Sequence, residues 1–167
     1  MSHFEKVSYE RWKKDCGFKE TTEAELKKIY DEIILPLQAT SASAGCDFFA
    51  PFNLRLEPGA TLRIPTAIRW ATDDADKGSV LMIFPRSGLG FKYGVRLSNT
   101  VGVIDADYCD SDNEGHIIVS IENPSEEIID LTTGKPFIQG IVMKYEIPVG
   151  AESAEIRNGG FGSTDEK

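Results

Sequence analysis

Along the first thirty-five residues, apolar positions recur at helical spacing. Glu10 to Asp15 is a charged, helix-prone stretch that ends near Gly17. Thr22, Glu23, Ala24 and Glu25 match a capping box, in which the threonine and the glutamate each satisfy a backbone N–H of the other. Leu26, Ile29, Ile33 and Ile34 follow on one helical face. The pattern predicts two short helices, closed by Pro36, which cannot continue the hydrogen-bond ladder. Their expected role is that of an extension, residues 1–35, packed on a larger body.

From Gln38 onward the period shortens to two. Phe52, Leu54 and Leu56 alternate with Asn53 and Arg55, Leu62 and Ile64 flank Arg63, and Ile68 and Trp70 flank Arg69. Pro58-Gly59 marks a turn between these runs. Val80 to Phe84 is an unbroken apolar run between Gly78 and Pro85, which predicts a strand buried on both faces. Further strands are predicted from Ile117 to Ile121, from Glu127 to Leu131 and from Phe137 to Ile147. Many short strands with turn signals between them predict an all-β fold over residues 36–150: an antiparallel sandwich, jelly roll or barrel. The last stretch, AESAEIRNGGFGSTDEK, has no core-facing period and predicts a mobile tail over residues 151–167.

Composition narrows the function classes. The 167 residues suit about one domain. Asp plus Glu number 27 against 18 Lys plus Arg, a net charge of −9. Nucleic acid and anionic membranes are bound by neutralising phosphates, so neither is expected as a partner. A small polyanion is still a candidate, because a few arginines in a pocket or a bound cation can reverse the local field. No apolar run approaches the ~18 residues of a membrane-spanning helix. The N-terminus MSHFEKVSYE lacks an apolar secretory core. Cys16, Cys46 and Cys109 are odd in number and widely spaced, without a C-x-x-C. They point to inert thiols in a reduced, cytoplasmic protein.

Several familiar chemistries find no support. GLGFKYG, Gly88 to Gly94, has one spacer too many for a dinucleotide fingerprint and no predicted helix after it. The two histidines, His3 and His116, lie in no suggestive context for a serine triad, and the zinc-deaminase signature is missing. Four segments remain. PRSG, Pro85 to Gly88, puts a cation, a hydroxyl and accessible backbone N–H groups just after a strand, as a phosphate requires. GVIDADY, Gly102 to Tyr108, places two carboxylates in a predicted hairpin. AGCDFFA sets Asp47 between small and apolar residues. GGFGST carries Phe161 in a glycine-rich tail, where a lid stacking on a flat ligand accounts for an aromatic ring that nothing local can pack.

Taken in order, AGCDFFA, PRSGLG, SNTVGVIDADY, PFIQG and RNGGFGST resemble the five motifs of the homotrimeric dUTP pyrophosphatases, the dUTPases. The resemblance runs from about Leu35 to Thr164. It implies a β jelly roll of the β-clip type and a homotrimer with shared active sites, the tail of one chain closing a site built by two others. It implies hydrolysis of dUTP to dUMP and diphosphate with Mg²⁺. Asp105 is then the catalytic residue that orients and deprotonates the attacking water. Asn99, Gly102, Val103 and Ile104 supply the uracil hairpin, Tyr108 packs under the deoxyribose and excludes a 2′-hydroxyl, and Phe161 covers the base. Arg86, Ser87, Gly88 and Gln139 are implied phosphate contacts, with Arg157, Gly162, Ser163 and Thr164 from the tail. Asp47 is similar to the family aspartate that reaches Mg²⁺ through water.

This sequence departs from the family pattern in the long segment CDSDNEGH after Tyr108 and in its N-terminal helices. One alternative is a dCTP deaminase, or a bifunctional deaminase–dUTPase, on the same fold. Its glutamate position reads Ser120 here, with Glu122 two residues further along the strand. Another is a non-catalytic nucleotide-binding regulatory module, which would show loss of Asp105, Tyr108 or the tail motif; all three are intact.

Overall fold

A computed structural model describes residues 1–151 and 153 of the chain. Twelve strands follow along it: β1 (His3–Lys6), β2 (Leu37–Gln38), β3 (Cys46–Phe49), β4 (Leu54–Leu56), β5 (Thr61–Pro65), β6 (Ile68–Ala71), β7 (Ser79–Pro85), β8 (Arg96–Leu97), β9 (Gly102–Asp105), β10 (Ile118–Glu122), β11 (Ile129–Leu131) and β12 (Pro136–Lys144). The helices are α1 (Tyr9–Cys16), α2 (Glu23–Glu32) and α3 (Ser87–Tyr93). Every strand pairing is antiparallel. The largest sheet has the order β2-β3-β12-β7-β9, facing smaller sheets β5-β10-β8, β11-β4 and β1-β6. Strands remote in sequence therefore lie side by side, and the fold is an antiparallel jelly roll, one of the three architectures the alternation allowed and the one the family resemblance implied.

The two predicted helices form where their caps place them. Ser8 and Thr22 are the N-caps, and the box closes with Thr22 N–H on Glu25 Oε2 at 2.9 Å and Glu25 N–H on Thr22 Oγ1 at 3.3 Å. The N-terminal segment also contributes to the core. Trp12 is fully buried, and its indole N–H donates to the Pro65 carbonyl at 3.1 Å, so the ring's one polar atom is satisfied. The strand β1 before it pairs with β6, from His3 opposite Ala71 to Lys6 opposite Ile68. No alternation in His3–Lys6 announces that strand.

The main core lies between the sheets, around Phe48, Leu54, Leu56, Ile64, Leu81, Ile83, Phe137 and Ile138. Two predictions about it need correction. Strand β7 is buried on one face: Leu81 and Ile83 point inward, while Val80, Met82 and Phe84 are half-exposed. Strand β12 ends at Lys144, short of Ile147, because β7, its partner, begins at Ser79 opposite Lys144 and offers nothing beyond.

Candidate active site

A cavity of about 370 Å³ opens where the five-stranded sheet meets β10. Its walls include Asn99, Gly102, Val103, Ile104, Asp105 and Tyr108. These are the predicted base- and sugar-contacting residues together with the predicted catalytic aspartate. Local structure explains the grouping. After β8 the chain turns tightly, with Thr100 in the left-handed region at φ 69°. Thr100 N–H bonds the Leu97 carbonyl at 2.9 Å and Val101 N–H the Asn99 carbonyl at 2.8 Å. The turn passes the chain from the three-stranded sheet to the five-stranded one. There β9 runs along β7 with Gly102 opposite Ile83 and Asp105 opposite Val80. A Cβ at Gly102 would come within 3.0 Å of the Ile83 Cβ, so a side chain there would press on the cavity wall. GVIDADY is thus a strand followed by a 3₁₀ turn, Ala106–Asp110, and not a hairpin. As the edge strand of its sheet, β9 bonds β7 with alternate residues and turns the N–H and C=O groups of the others outward, and Asp105 occupies the N-cap position of the turn.

Tyr108 is buried at the cavity wall, and its hydroxyl is held at two points. It donates to the His116 carbonyl at 3.1 Å and accepts from Asn113 Nδ2 at 2.7 Å. The segment Cys109–His116 therefore folds back over the tyrosine. His116, fully buried, closes this segment. Its Nε2 accepts from the N–H of Ala67, a residue at φ 64°, at 2.9 Å, while Nδ1 meets Asp15 Oδ2 at 2.6 Å. An accepting Nε2 makes this a neutral ring with its proton on Nδ1. Burial pushes the imidazole pKa down, and the Asp15 hydrogen bond opposes this only in part. The sequence offered no signal for His116, because its partners are far away along the chain: Asp15 is 101 residues off.

The predicted phosphate residues form a second group. Gln139 on β12 pairs with Asp47 of β3 on one side and with Phe84 of β7 on the other. Arg86, just past β7, donates from Nη1 to Asp47 Oδ2 at 2.7 Å, and Gln139 Nε2 reaches the Pro85 carbonyl at 3.3 Å. Gly45 makes room for that amide: a Cβ there would lie 2.9 Å from Gln139 Oε1. Ser87 and Gly88 begin α3, with Arg86 as its N-cap. GLGFKYG is accordingly helical itself up to Gly94, which ends α3 in the left-handed region. Asp105 sits opposite Val80, and Arg86 lies six residues further along from Val80. At ~3.4 Å per residue Asp105 is about 20 Å from Arg86 along the sheet, while Gly102, opposite Ile83, is about half as far. Within one chain Asp105 and the phosphate residues stay apart. The tail residues Arg157, Phe161, Gly162, Ser163 and Thr164 lie outside the described residues.

Two further observations bear on the chemistry. Ser120 lines the cavity, whereas Glu122 pairs with Arg96 at 2.8 Å, and hydrogen bonds from Arg96 and Ser98 hold its carboxyl below the usual range. A carboxylate kept charged in this way is poorly suited to deliver protons to a base. Among the described residues, no three His, Cys, Asp or Glu side chains gather to cage a metal ion. Asp47 offers one carboxylate, with one oxygen already on Arg86, which suits contact with a hard cation through water.

Comparison with known proteins shows the family. The dUTPase family model matches residues 31–165, so residues 1–30 fall outside it. The deoxyuridine 5′-triphosphate nucleotidohydrolase of Hahella chejuensis is 37% identical over 148 residues, covering 84% of this chain and 93% of that protein. The same enzyme from Hydrogenovibrio crunogenus is 38% identical over 141 residues, covering 80% and 88%. The crystal structure of the Streptococcus mutans dUTPase superposes with a TM-score of 0.64 at 30% identity, covering 88% of this chain and 98% of that one. By its motifs, its fold and these likenesses, the chain belongs to the dUTPase family, the hydrolases of nucleotide metabolism with dUTP diphosphatase activity.

Proposed function

We propose that water, positioned by Asp105, attacks the α-phosphorus of dUTP in the cavity and releases dUMP and diphosphate. One observation carries this reading: a single cavity is lined by Asp105, Tyr108, Asn99, Gly102, Val103 and Ile104. An aspartate is a weak base at its ordinary pKa, about 3.9. Its contribution is mainly to hold the water in line, with the proton passing to the carboxylate as the P–O bond forms. Backbone N–H and C=O groups of the Asn99 turn match the edge of uracil. Cytosine would set donor against donor, which is costly once buried. The Tyr108 ring fills the space that a ribose 2′-hydroxyl needs.

Arg86, Ser87, Gly88 and Gln139 take the phosphates, and Arg157, Gly162, Ser163 and Thr164 add contacts from the tail while Phe161 stacks on the base. Mg²⁺, when bound, neutralises the phosphate oxygens; Asp47 is the side chain that would hold it, through water. The distance between the two residue groups supports a shared site, in which one copy supplies the cavity and another the phosphate residues. The outer face of the large sheet supports the same assembly. Met82 pairs with both Val103 and Ile141 there, and Val103 is 57% exposed in the isolated chain. A homotrimer would cover that apolar stripe. No described helix is long and apolar enough to cross a membrane. We place the enzyme in the cytoplasm, where its nucleotide substrate is made.

The test is product analysis with dUTP, dCTP and UTP in the presence of Mg²⁺. Release of dUMP and diphosphate from dUTP, with little turnover of the others, is expected. Formation of dUTP from dCTP would replace this reading with a deaminase. Tight dUTP binding without product would replace it with a regulatory module.

A further inference from the structure

The N-terminal helix α1 is tied to the segment Cys109–His116 that holds Tyr108. Ser8 donates twice to Glu114, from its N–H to Oε2 and from Oγ to Oε1, both at 2.7 Å. Arg11 Nη2 donates to the Asp112 carbonyl at 3.0 Å, and Asp15 Oδ2 meets His116 Nδ1 at 2.6 Å. The N-cap residue and two residues of one helix thus hold three successive alternate positions of the loop. The far side of the loop reaches the cavity through Asn113 and the His116 carbonyl, the two partners of the Tyr108 hydroxyl. There is little slack between the two sides. Gly115, at φ 69°, lies so close behind Tyr108 that an added Cβ would meet its carbonyl oxygen at 2.9 Å and Cys109 Cα at 2.6 Å. Glu114 is itself in the left-handed region, at φ 61°, where a side chain is unfavourable unless its contacts offset the strain.

The dUTPase family match begins at residue 31. Ser8, Arg11 and Asp15 lie outside that match, and what they grip is the segment that follows Tyr108. We infer that α1 is a positioning element for the substrate's sugar pocket: through Glu114, Asn113 and His116 it sets the place of the Tyr108 ring and hence the discrimination between deoxyribose and ribose. This rests on the proposed role of Tyr108 as the residue under the sugar. Ser8, Arg11, Asp15, Asn113, Glu114 and His116 are positioning residues and touch no substrate. The link is a continuous chain of hydrogen bonds between rigid pieces, so loosening one member lets the ring tilt and opens room for a 2′-hydroxyl.

The test uses the full-length protein with Mg²⁺. Glu114→Ala removes both acceptors for Ser8, and Asn113→Ala removes the donor to the tyrosine. Each is expected to lower the ratio of kcat/KM for dUTP over UTP about fivefold, the worth of one net hydrogen bond. Glu114→Gln keeps one acceptor and should recover most of the ratio. Thermal melting shows that each variant is folded. The Tyr108 ring is followed separately by NMR of ring-labelled tyrosine, assigned with Tyr108→Phe, and its signal should move in both alanine variants. Tyr108→Ala is measured alongside. If it changes the ratio while the two alanine variants leave the ratio unchanged, the helix merely stabilises the fold and the proposal is overturned. If Tyr108→Ala leaves the ratio unchanged, the sugar role of Tyr108 has failed. The ring signal then decides positioning alone: a displaced signal supports it and an unmoved one overturns it.

Discussion

Asp47 lies on β3 and Arg86 just past the end of β7, two strands that do not touch, yet their side chains meet at 2.7 Å. Strand β12 runs between β3 and β7, and the guanidinium spans it above Gln139. The pair links the first, second and fourth motifs into one polar patch at the end of the large sheet. Asp47 is buried, while the Arg86 side chain keeps about a third of its surface, 34%, open to solvent. The arginine is therefore held in place but remains within reach of an anionic ligand.

Replacing Asp47 by Asn should leave Arg86 without its charged partner. With one side of the pair exposed, the loss of stability should be about 1 kcal/mol, well below that of a fully buried pair. The larger effect should be on metal use. The Mg²⁺ concentration for half-maximal activity should rise several-fold, and EDTA should abolish activity in both proteins. A melting curve and a Mg²⁺ titration check the two parts, and an unchanged titration would remove Asp47 from the metal site.

Asp105→Asn should lower kcat at least ~10²-fold, the low end for loss of a general base. Binding of dUTP, measured by calorimetry, should change little, because the amide keeps the shape of the side chain. Near-normal turnover would show that another group positions the water.

The protein should lose stability as the pH falls below about 6.5, the ordinary histidine value. His116 is buried neutral, its pKa pushed down by burial, with Arg11 and Arg63 acting in the same direction and Asp15 against them. Between its folded and unfolded pKa values the unfolded chain binds the extra proton, so stability rises with pH. Its contribution is complete above the unfolded value and is progressively lost below it. Protonation would also end the bond from Ala67 N–H to Nε2. Melting temperature against pH from 7.5 to 5 checks this. The slope should flatten in His116→Gln, and an identical slope would assign the acid sensitivity to other groups.

A chain stopped after Ile156 retains all twelve described strands. It should fold, keep its oligomeric state and melt within a few degrees of the full protein, yet lose most dUTP hydrolysis. Such a glycine-rich segment costs entropy to order and repays it only through ligand contacts. Sedimentation and kcat on dUTP separate the outcomes. A broken oligomer would make the tail structural, and an intact kcat would remove Arg157 and Phe161 from the site.

By itself the sequence determined the local pieces. The capping box at Thr22, the twofold alternation around Arg55, Arg63 and Arg69, and the ordered motifs around Asp47, Arg86, Asp105 and Gln139 are all short-range patterns. Caps, side-chain alternation and motif spacing act within a few residues, so the chain displays them directly. Only the tertiary structure decided which pieces meet. Strand β1 is polar and short, and exists because β6 offers it an edge. Strand β7 reads as doubly buried, but its outer face is left open in one chain. The Asp15–His116 contact joins residues 101 positions apart, and its partners carry no mark in the sequence. The same holds for the two halves of the site. Their residues are all legible as motifs, whereas the strand order β3-β12-β7-β9 alone sets Asp47 and Gln139 at one end of the sheet and Asp105 at the other. Long-range pairing depends on the total fit of sheets and core, a property that no single stretch of residues holds.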